Sequence, residues 1–137
     1  MTKAHHQATI LVADDDTTIR TNLRLLLESE GYRVLEAVDG LQADKSLGDP
    51  SVALVLLDLK MPGQDGMDVL RKHQDQLEEM PVIVITALDG SADAIEAMKL
   101  GAYDYISKPF DLEEVLVTVR RALMRKSLVA RDQPLAQ

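Results

Sequence analysis

The sequence contains no cysteine and no hydrophobic run long enough to cross a membrane. Without cysteine there is no disulfide framework, no thiolate zinc site and no cysteine nucleophile to consider. A helix that crosses the bilayer needs about 20 consecutive apolar residues. The polar opening MTKAHHQ does not resemble a signal peptide. We therefore expect a cytoplasmic protein that has no membrane partner.

Positive charge is also scarce. The chain has 15 Lys and Arg against 23 Asp and Glu, and its net charge is −8. Broad binding to DNA requires a positive field, so this balance predicts no direct contact with nucleic acid. Neither G-x-x-x-x-G-K-[ST] nor G-x-G-x-x-G occurs in the sequence. Their absence argues against the two common glycine-rich nucleotide-binding loops.

Five short runs rich in apolar and β-branched residues alternate with helix-like segments. The runs cover residues 9–13, 33–37, 52–57, 82–86 and 103–106. VALVLL and VIVI are apolar throughout, which is typical of central strands that helices cover on both faces. The pattern predicts an α/β protein with five parallel strands, and a length of 137 residues corresponds to one domain.

The apolar residues between the strands recur at helical spacing. In the first helix the stripe consists of Ile19, Leu23, Leu26 and Leu27. Asp16 or Thr17 is the predicted N-cap of this helix. Further helices are expected at about 40–47, 66–77, 92–100 and 112–126. We expect residues 1–8 to form a disordered start, 9–126 the domain, and 127–137 a tail or the beginning of a linker.

Charged and hydroxyl side chains stand where the predicted strands end. Asp14 and Asp15 follow TILVA, Asp58 follows VALVLL, Thr86 closes PVIVIT, and Lys108 lies in YISKPF. In a parallel α/β sheet, ligands bind outside the carboxyl ends of the strands. Carboxylates that meet there repel one another unless a hard cation joins them, and Mg²⁺ suits carboxylates together with phosphoryl oxygens. The sequence predicts a magnesium-dependent phosphoryl pocket.

Each residue of this pocket has a predicted role. Asp58 is the expected nucleophile and phosphate carrier because it ends a fully buried central run. Asp14 and Asp15 would hold Mg²⁺ together with Asp58, and the backbone carbonyl of Lys60 could complete the metal shell.

Two further side chains would contact the phosphoryl group. Lys108 would supply a compact positive charge to one phosphoryl oxygen, and the hydroxyl of Thr86 would donate a hydrogen bond to another. Asp16 is expected to cap the first helix instead of reaching the metal. His73 lies on a helix face that is predicted to be exposed, and we assign it no role.

The segments ILVADD, LLDLKMPGQDG, VIVITA and GAYDYISKPF resemble the receiver domain of two-component response regulators. The resemblance covers about residues 9–125. It implies a flavodoxin-like (βα)5 doubly wound sheet of strand order 2-1-3-4-5. It also implies that Asp58 accepts a phosphoryl group from a sensor histidine kinase or a phosphotransfer protein. Other positions match the acid pair, signalling hydroxyl and lysine of that family: Asp14, Asp15, Thr86 and Lys108.

The same resemblance implies a switch. Tyr105 matches the family's switch aromatic, and Pro109 matches a proline that usually follows a cis peptide bond. Phosphorylation would draw Thr86 inward, the ring of Tyr105 would fill the vacated space, and the face formed by the fourth helix, fifth strand and fifth helix would change shape. Such a domain catalyses only its own phosphotransfer and autodephosphorylation, so we expect it not to be an enzyme with an external substrate.

Within this family the chain looks most like receivers fused to sigma-54-dependent AAA+ activators, as judged from the segments DLKMPGQDG and GAYDYISKPFDLEEV. This resemblance implies transcription regulation. We expect either a stand-alone receiver or an N-terminal piece of a larger regulator, with an output partner that the sequence leaves open. The last helix carries a basic cluster that is either a solvated helix end or part of a phosphorylation-dependent homodimer: Arg120, Arg121, Arg125 and Lys126.

Two other classes of function are compatible with parts of this pattern. A haloacid-dehalogenase-like phosphatase also uses an aspartyl nucleophile, Mg²⁺ and a lysine. It needs a second aspartate two residues after the nucleophile, where this chain has Lys60, and it needs a cap insertion that is missing here. The other class is a receiver-like protein-binding module that works without phosphorylation, and the intact set of site residues argues against it.

Overall fold

The computed structural model describes residues 8–63, 65–87 and 91–132. In this part of the chain five strands alternate with five α-helices. They are β1 (Thr9–Ala13), α1 (Thr17–Ser29), β2 (Arg33–Ala37), α2 (Gly40–Ser46), β3 (Val52–Asp58), α3 (Gly66–Lys72), β4 (Val82–Thr86), α4 (Ser91–Leu100), β5 (Asp104–Ser107) and α5 (Leu112–Asp132). A short 3-10 helix, Gln74–Gln76, follows α3.

The strands form one parallel sheet of order β2-β1-β3-β4-β5. This order confirms the expected flavodoxin-like, doubly wound fold. In the register of the sheet, Asp58 is paired with Ile85, and Thr86 with Ser107. Residues at or just after the ends of the central strands therefore meet at one edge of the sheet, as expected of parallel strands.

Successive residues of the central strands enter two different cores. In β1, Ile10 and Val12 pack with residues of α1 and α5, whereas Leu11 and Ala13 pack with residues of α2, α3 and α4. All four are fully buried. Burial on both faces is the reason that the central strands are apolar throughout instead of alternating.

Helix α1 begins as its sequence predicts. Asp16 is the N-cap, and its Oδ1 accepts hydrogen bonds from the backbone N–H groups of Thr18 at 2.9 Å and Ile19 at 3.2 Å. Leu23 and Leu27, from the predicted stripe, are fully buried against the sheet. With this stripe on the sheet, another face of α1 places Arg20 and Arg24 beside Glu36 of β2.

Helix α3 ends earlier than predicted. It stops at Lys72, with His73 as its C-cap, instead of running to residue 77. The side chain of His73 is only 14% exposed. Its ring lies between Asp44 of α2 and Gln76, at 2.6 Å from an oxygen of each. The expectation of an exposed helix face at His73 is therefore wrong, because α2 packs across this end of α3.

Other boundaries differ by small amounts. β5 spans Asp104–Ser107 rather than 103–106. The last helix continues to Asp132, six residues beyond the expected end of the domain at 126. Residues 1–7 and 133–137 lie outside the described residues, so the predicted start and tail, and the division of the chain, stay predictions. None of the helices that the structure describes is long and apolar enough to cross a bilayer.

Candidate metal and phosphoryl site

The ends of β1 and β3 bring Asp14 and Asp58 side by side. Asp14 is fully buried and Asp58 is 3% exposed, whereas the neighbouring Asp15 is exposed. One carboxylate oxygen from each of the three residues lies within 4.8 Å of the others. The structure thus brings together all three carboxylates that the sequence places in one cluster.

Backbone donors and one lysine orient the two buried carboxylates. Oδ1 of Asp14 accepts a hydrogen bond from the backbone N–H of Asp16 at 2.8 Å. Oδ1 of Asp58 accepts one from the backbone N–H of Lys60 at 3.0 Å. The other oxygen of each carboxylate, Oδ2, lies 3.1 Å from Nζ of Lys108. A single ammonium group therefore stands between the two buried acids.

One carboxylate oxygen of this cluster is not satisfied by the lysine and could bind a metal ion. The contact of Lys108 with Asp58 is aligned as a hydrogen bond. Oδ2 of Asp14, in contrast, is a buried oxygen without an aligned donor among the described residues, although Lys108 is close to it. A buried carboxylate oxygen in this situation is unfavourable. Mg²⁺ prefers oxygen ligands, including one or two carboxylates. Asp14, Asp15 and Asp58 are thus suited to hold a Mg²⁺ ion.

The electrostatics of the site also favour a cation. Burial raises the pKa of Asp58, and the charge of Asp14 raises it further, while the hydrogen bond from the Lys60 N–H and the charge of Lys108 act in the opposite direction. For Lys108, burial alone would lower the pKa, but the carboxylates of Asp58 and Asp14 outweigh burial and raise it. The ammonium group stays charged, and two buried carboxylates share it.

The remaining predicted residues surround this centre. Thr86 ends β4 and is 1% exposed, and its backbone oxygen accepts a hydrogen bond from the Lys108 N–H at 2.7 Å. Tyr105 lies on β5 with 46% of its surface exposed. The Lys108–Pro109 peptide bond is cis. The side chain of Lys60 points away into solvent, where its Nζ lies 3.5 Å from Oδ2 of Asp93, and a metal contact of its carbonyl stays a prediction.

Sequence reasoning missed the importance of Gly66, the first residue of α3. Its backbone N–H donates to the oxygen of Leu59 at 3.1 Å. A Cβ at this position would lie 2.6 Å from the backbone oxygen of Asp58 and 2.7 Å from Cα of Leu59. The helix start therefore packs directly on the backbone that carries Asp58. The sequence predicted a helix start here, but a single glycine does not reveal which backbone it contacts.

Comparison with known proteins agrees with this geometry. The chain matches the family model of the response regulator receiver domain over residues 10–120. It is 36% identical over 132 residues to the uncharacterized transcriptional regulatory protein YkoG of Bacillus subtilis. The matched region covers 96% of this chain and 56% of YkoG. It is 37% identical over 124 residues to the response regulator MprA of Mycobacterium ulcerans, covering 90% of this chain and 53% of MprA. The chain thus spans about half the length of these curated relatives.

Solved structures give the same result. A response regulator receiver domain protein from Clostridium thermocellum superposes with a TM-score of 0.81 at 36% identity, over 89% of this chain and 98% of that one. NtrX from Brucella abortus superposes with a TM-score of 0.86 at 32% identity, over 96% of this chain and 30% of NtrX.

The fold and the acidic pocket define a signalling domain of two-component systems and not a metabolic enzyme. The chain belongs to the response regulator receiver domain family. This assignment removes the phosphatase alternative, in agreement with the lysine that stands two residues after Asp58.

Proposed function

We propose that the domain is a phosphoacceptor switch that receives a phosphoryl group on Asp58 from a sensor histidine kinase or a phosphotransfer protein. One observation carries the proposal: Nζ of Lys108 lies 3.1 Å from Oδ2 of both Asp14 and Asp58. A preorganised positive charge beside a buried carboxylate stabilises the negative charge that gathers on a phosphoryl group during transfer.

The geometry supports a specific transfer step. A carboxylate oxygen of Asp58 attacks the phosphorus of a phosphohistidine, the phosphorus–nitrogen bond breaks, and the imidazole keeps the electron pair. The N–H of Lys60 holds Oδ1 of Asp58 during this step. Lys108 then contacts one phosphoryl oxygen, and the hydroxyl of Thr86 donates to another. Asp14, Asp15 and Asp58 would hold Mg²⁺, which would supply charge neutralisation for the phosphoryl oxygens.

The signal leaves the site through the surface of α4, β5 and α5. Tyr105 is exposed there next to Ile95 and Met98 of α4, which are 58% and 39% exposed. In the phosphorylated state Thr86 moves toward the phosphoryl group on Asp58, and the tyrosine ring moves into the vacated space. To shift the equilibrium between the two conformations from 1:99 to 99:1, the phosphoryl group must stabilise one conformation by about 5.5 kcal/mol more than the other. Charge-assisted hydrogen bonds to a phosphoryl group are of a suitable size.

The output of the switch is transcription regulation, through an output domain or a partner protein. The relatives support this proposal, because YkoG carries the name of a transcriptional regulatory protein. A homodimer that forms through the same surface on phosphorylation is part of the proposal. Two of the basic residues of α5 have partners within the domain: Arg120 pairs with Glu30 at 2.7 Å, and Arg125 lies over the ring of Tyr103. The exposed Arg121 is thus better placed for such an interface.

Intact-protein mass after incubation with acetyl phosphate tests the chemistry. We expect one phosphoryl adduct on the wild type, and none without Mg²⁺ or in Asp58→Asn. If a protein that binds Mg²⁺ takes up no phosphoryl group, the phosphoacceptor function is wrong, and the domain is a binding module that works without phosphorylation.

A second experiment tests the switch separately. Sedimentation of the phosphorylated protein would compare the wild type with Thr86→Ala and Tyr105→Ala, both of which keep Asp58. We expect the wild type to dimerise on phosphorylation and the two variants to dimerise less. Equal dimerisation of all three would contradict the role of Thr86 and Tyr105.

A further inference from the structure

Arg20 of α1 reaches across to the backbone of the metal site. Its Nη1 donates a hydrogen bond of 2.8 Å to the backbone oxygen of Asp14. Its Nε pairs with Oε1 of Glu36 on β2 at 2.9 Å, and its side chain is only 12% exposed. The second oxygen of Glu36 pairs with Arg24 at 3.0 Å. The guanidinium group is thus clamped between the edge strand and the end of β1.

The oxygen that Arg20 holds belongs to the peptide group that joins Asp14 to Asp15. On the other side of Asp14, the backbone N–H donates to the oxygen of Ala37 at 3.1 Å. Arg20 therefore completes the fixation of this turn, because it restrains the peptide plane that follows Asp14. The orientation of that plane determines where the Cα–Cβ bond of Asp15 points. Asp15 is exposed, so packing does little to orient it.

We infer that Arg20 is a positioning residue for the Mg²⁺ site. Arg20 holds the Asp14–Asp15 peptide group so that both carboxylates face one ion. The inference rests on the proposed function, in which these residues bind Mg²⁺. Without Arg20 every ligand oxygen would still be present. The ion would then have to order the turn as it binds, and its affinity would fall.

The charge of Arg20 makes the inference easy to distinguish from a simple electrostatic effect. A cation close to the site repels Mg²⁺, so removing the charge alone would strengthen Mg²⁺ binding. Removing a positioning hydrogen bond would weaken it. The two effects have opposite signs, and the direction of the change decides between them.

Calorimetric titration with Mg²⁺ in the absence of phosphodonor tests the inference on the wild type, Arg20→Met, Arg20→Lys and Arg24→Met. For Arg20→Met we expect Mg²⁺ affinity to fall roughly three- to tenfold, the range that the net contribution of one intramolecular hydrogen bond implies. Arg24→Met is the matched control, because Arg24 shares Glu36 with Arg20 and makes no contact with Asp14. Its affinity should stay within about twofold of the wild type, since exposed ion pairs contribute little.

Arg20→Lys keeps the charge but lacks the planar guanidinium group, which contacts the Asp14 oxygen and Glu36 at the same time. We expect a smaller loss of affinity than in Arg20→Met, and this variant carries the test if Arg20→Met does not fold. At saturating Mg²⁺ both variants should reach the wild-type extent of phosphorylation with acetyl phosphate. A role limited to overall stability would not produce this split between Mg²⁺ affinity and maximal phosphorylation.

The possible failures are distinguishable. If the wild type binds Mg²⁺ and Arg20→Met binds it equally or more tightly, the inference is wrong and the proposed function stands. The inference is also wrong if Arg20→Met and Arg24→Met weaken binding equally, because the effect then belongs to Glu36. If the wild type itself binds no Mg²⁺, the proposed function and the inference fail together.

Discussion

The first residue of α3, Gly66, leaves no room for a side chain above Asp58: a Cβ on Gly66 would lie 2.6 Å from the backbone oxygen of Asp58. This distance is well below an ordinary contact between carbon and oxygen. The start of α3 therefore packs directly on the backbone that carries Asp58. A change at Gly66 should act on the site as well as on the stability of the fold.

Gly66→Ala should destabilise the protein by about 1 to 3 kcal/mol, as overpacking of a tight contact does. It should also slow phosphoryl uptake, since the backbone at Asp58 must shift to admit the methyl group. Urea unfolding and intact-mass kinetics measure the two effects. Gly48→Ala is the control, because a Cβ there would meet only the oxygen of Lys45 at an ordinary 3.5 Å. Equal stability and equal uptake in the two variants would rule out the steric role of Gly66.

Mg²⁺ should stabilise the folded domain. Binding to the folded state alone contributes about 1.4 kcal/mol at a free Mg²⁺ concentration tenfold above Kd. Thermal unfolding measured with and without Mg²⁺ should therefore show a higher Tm with the ion. Asp14→Asn should lose most of this response, because it removes a buried carboxylate from the acidic cluster. Asp16→Asn should keep it, since Asp16 accepts hydrogen bonds from the first turn of α1. A lost response in Asp16→Asn would instead make Asp16 a metal ligand.

The N-cap of α1 can be tested in the absence of metal. Asp16→Ala removes the acceptor for the N–H groups of Thr18 and Ile19 and should cost about 1 kcal/mol of unfolding free energy. Asp16→Asn should cost much less, because asparagine caps helices about as well as aspartate. Denaturant unfolding of both variants in a chelating buffer measures the difference. Similar losses in both would show that the charge of Asp16, and not its hydrogen bonds, stabilises α1.

Stability at acid pH should depend on Asp44. Hydrogen bonds from Lys72 and His73 lower the pKa of this carboxyl. Since the folded pKa lies below the unfolded value of about 3.9, the contribution of Asp44 is complete above that pH and is lost as the pH falls through the folded pKa. Asp44→Asn should destabilise by about 1 kcal/mol near neutral pH, and the difference from the wild type should shrink in acid.

Urea unfolding of the wild type and Asp44→Asn over a series of acidic buffers measures this dependence. Asp68→Asn is the control, because Asp68 pairs with Arg71 on the exposed surface of α3, with 60% of its side chain accessible. Its effect should be small at every pH. A difference for Asp44→Asn that stays constant down to the lowest pH would contradict the role of its ionised form.

Much of the fold could be predicted because buried strands leave a clear pattern. Four predicted strands begin at the observed residue, and the fifth is displaced by one. The prediction failed at His73, because the predicted helix continues to residue 77 whereas α3 ends at Lys72. Nothing local to α3 signals this earlier end, since the ring is held by Asp44, which lies 29 residues earlier in the chain.

The composition of the site was likewise readable in the chain. Asp14, Asp58, Thr86 and Lys108 each stand at a strand end, and the carboxyl ends of parallel strands share one edge of the sheet. Once the strands are recognised, the strand order is enough to predict that these side chains lie close together. Nothing in the sequence distinguished the buried Asp14 from the exposed Asp15, because two adjacent residues in a turn point in different directions.

The sequence by itself determined which strands form and which side chains are available at their ends, because both follow from burial and from chain position. Only the tertiary structure decided that Lys108 stands between two acids, that Gly66 packs on the backbone of Asp58, and that Arg20 holds the oxygen of Asp14. These relationships depend on how helices rotate and dock on the sheet. That docking is a property of the whole packed core and not of any local segment.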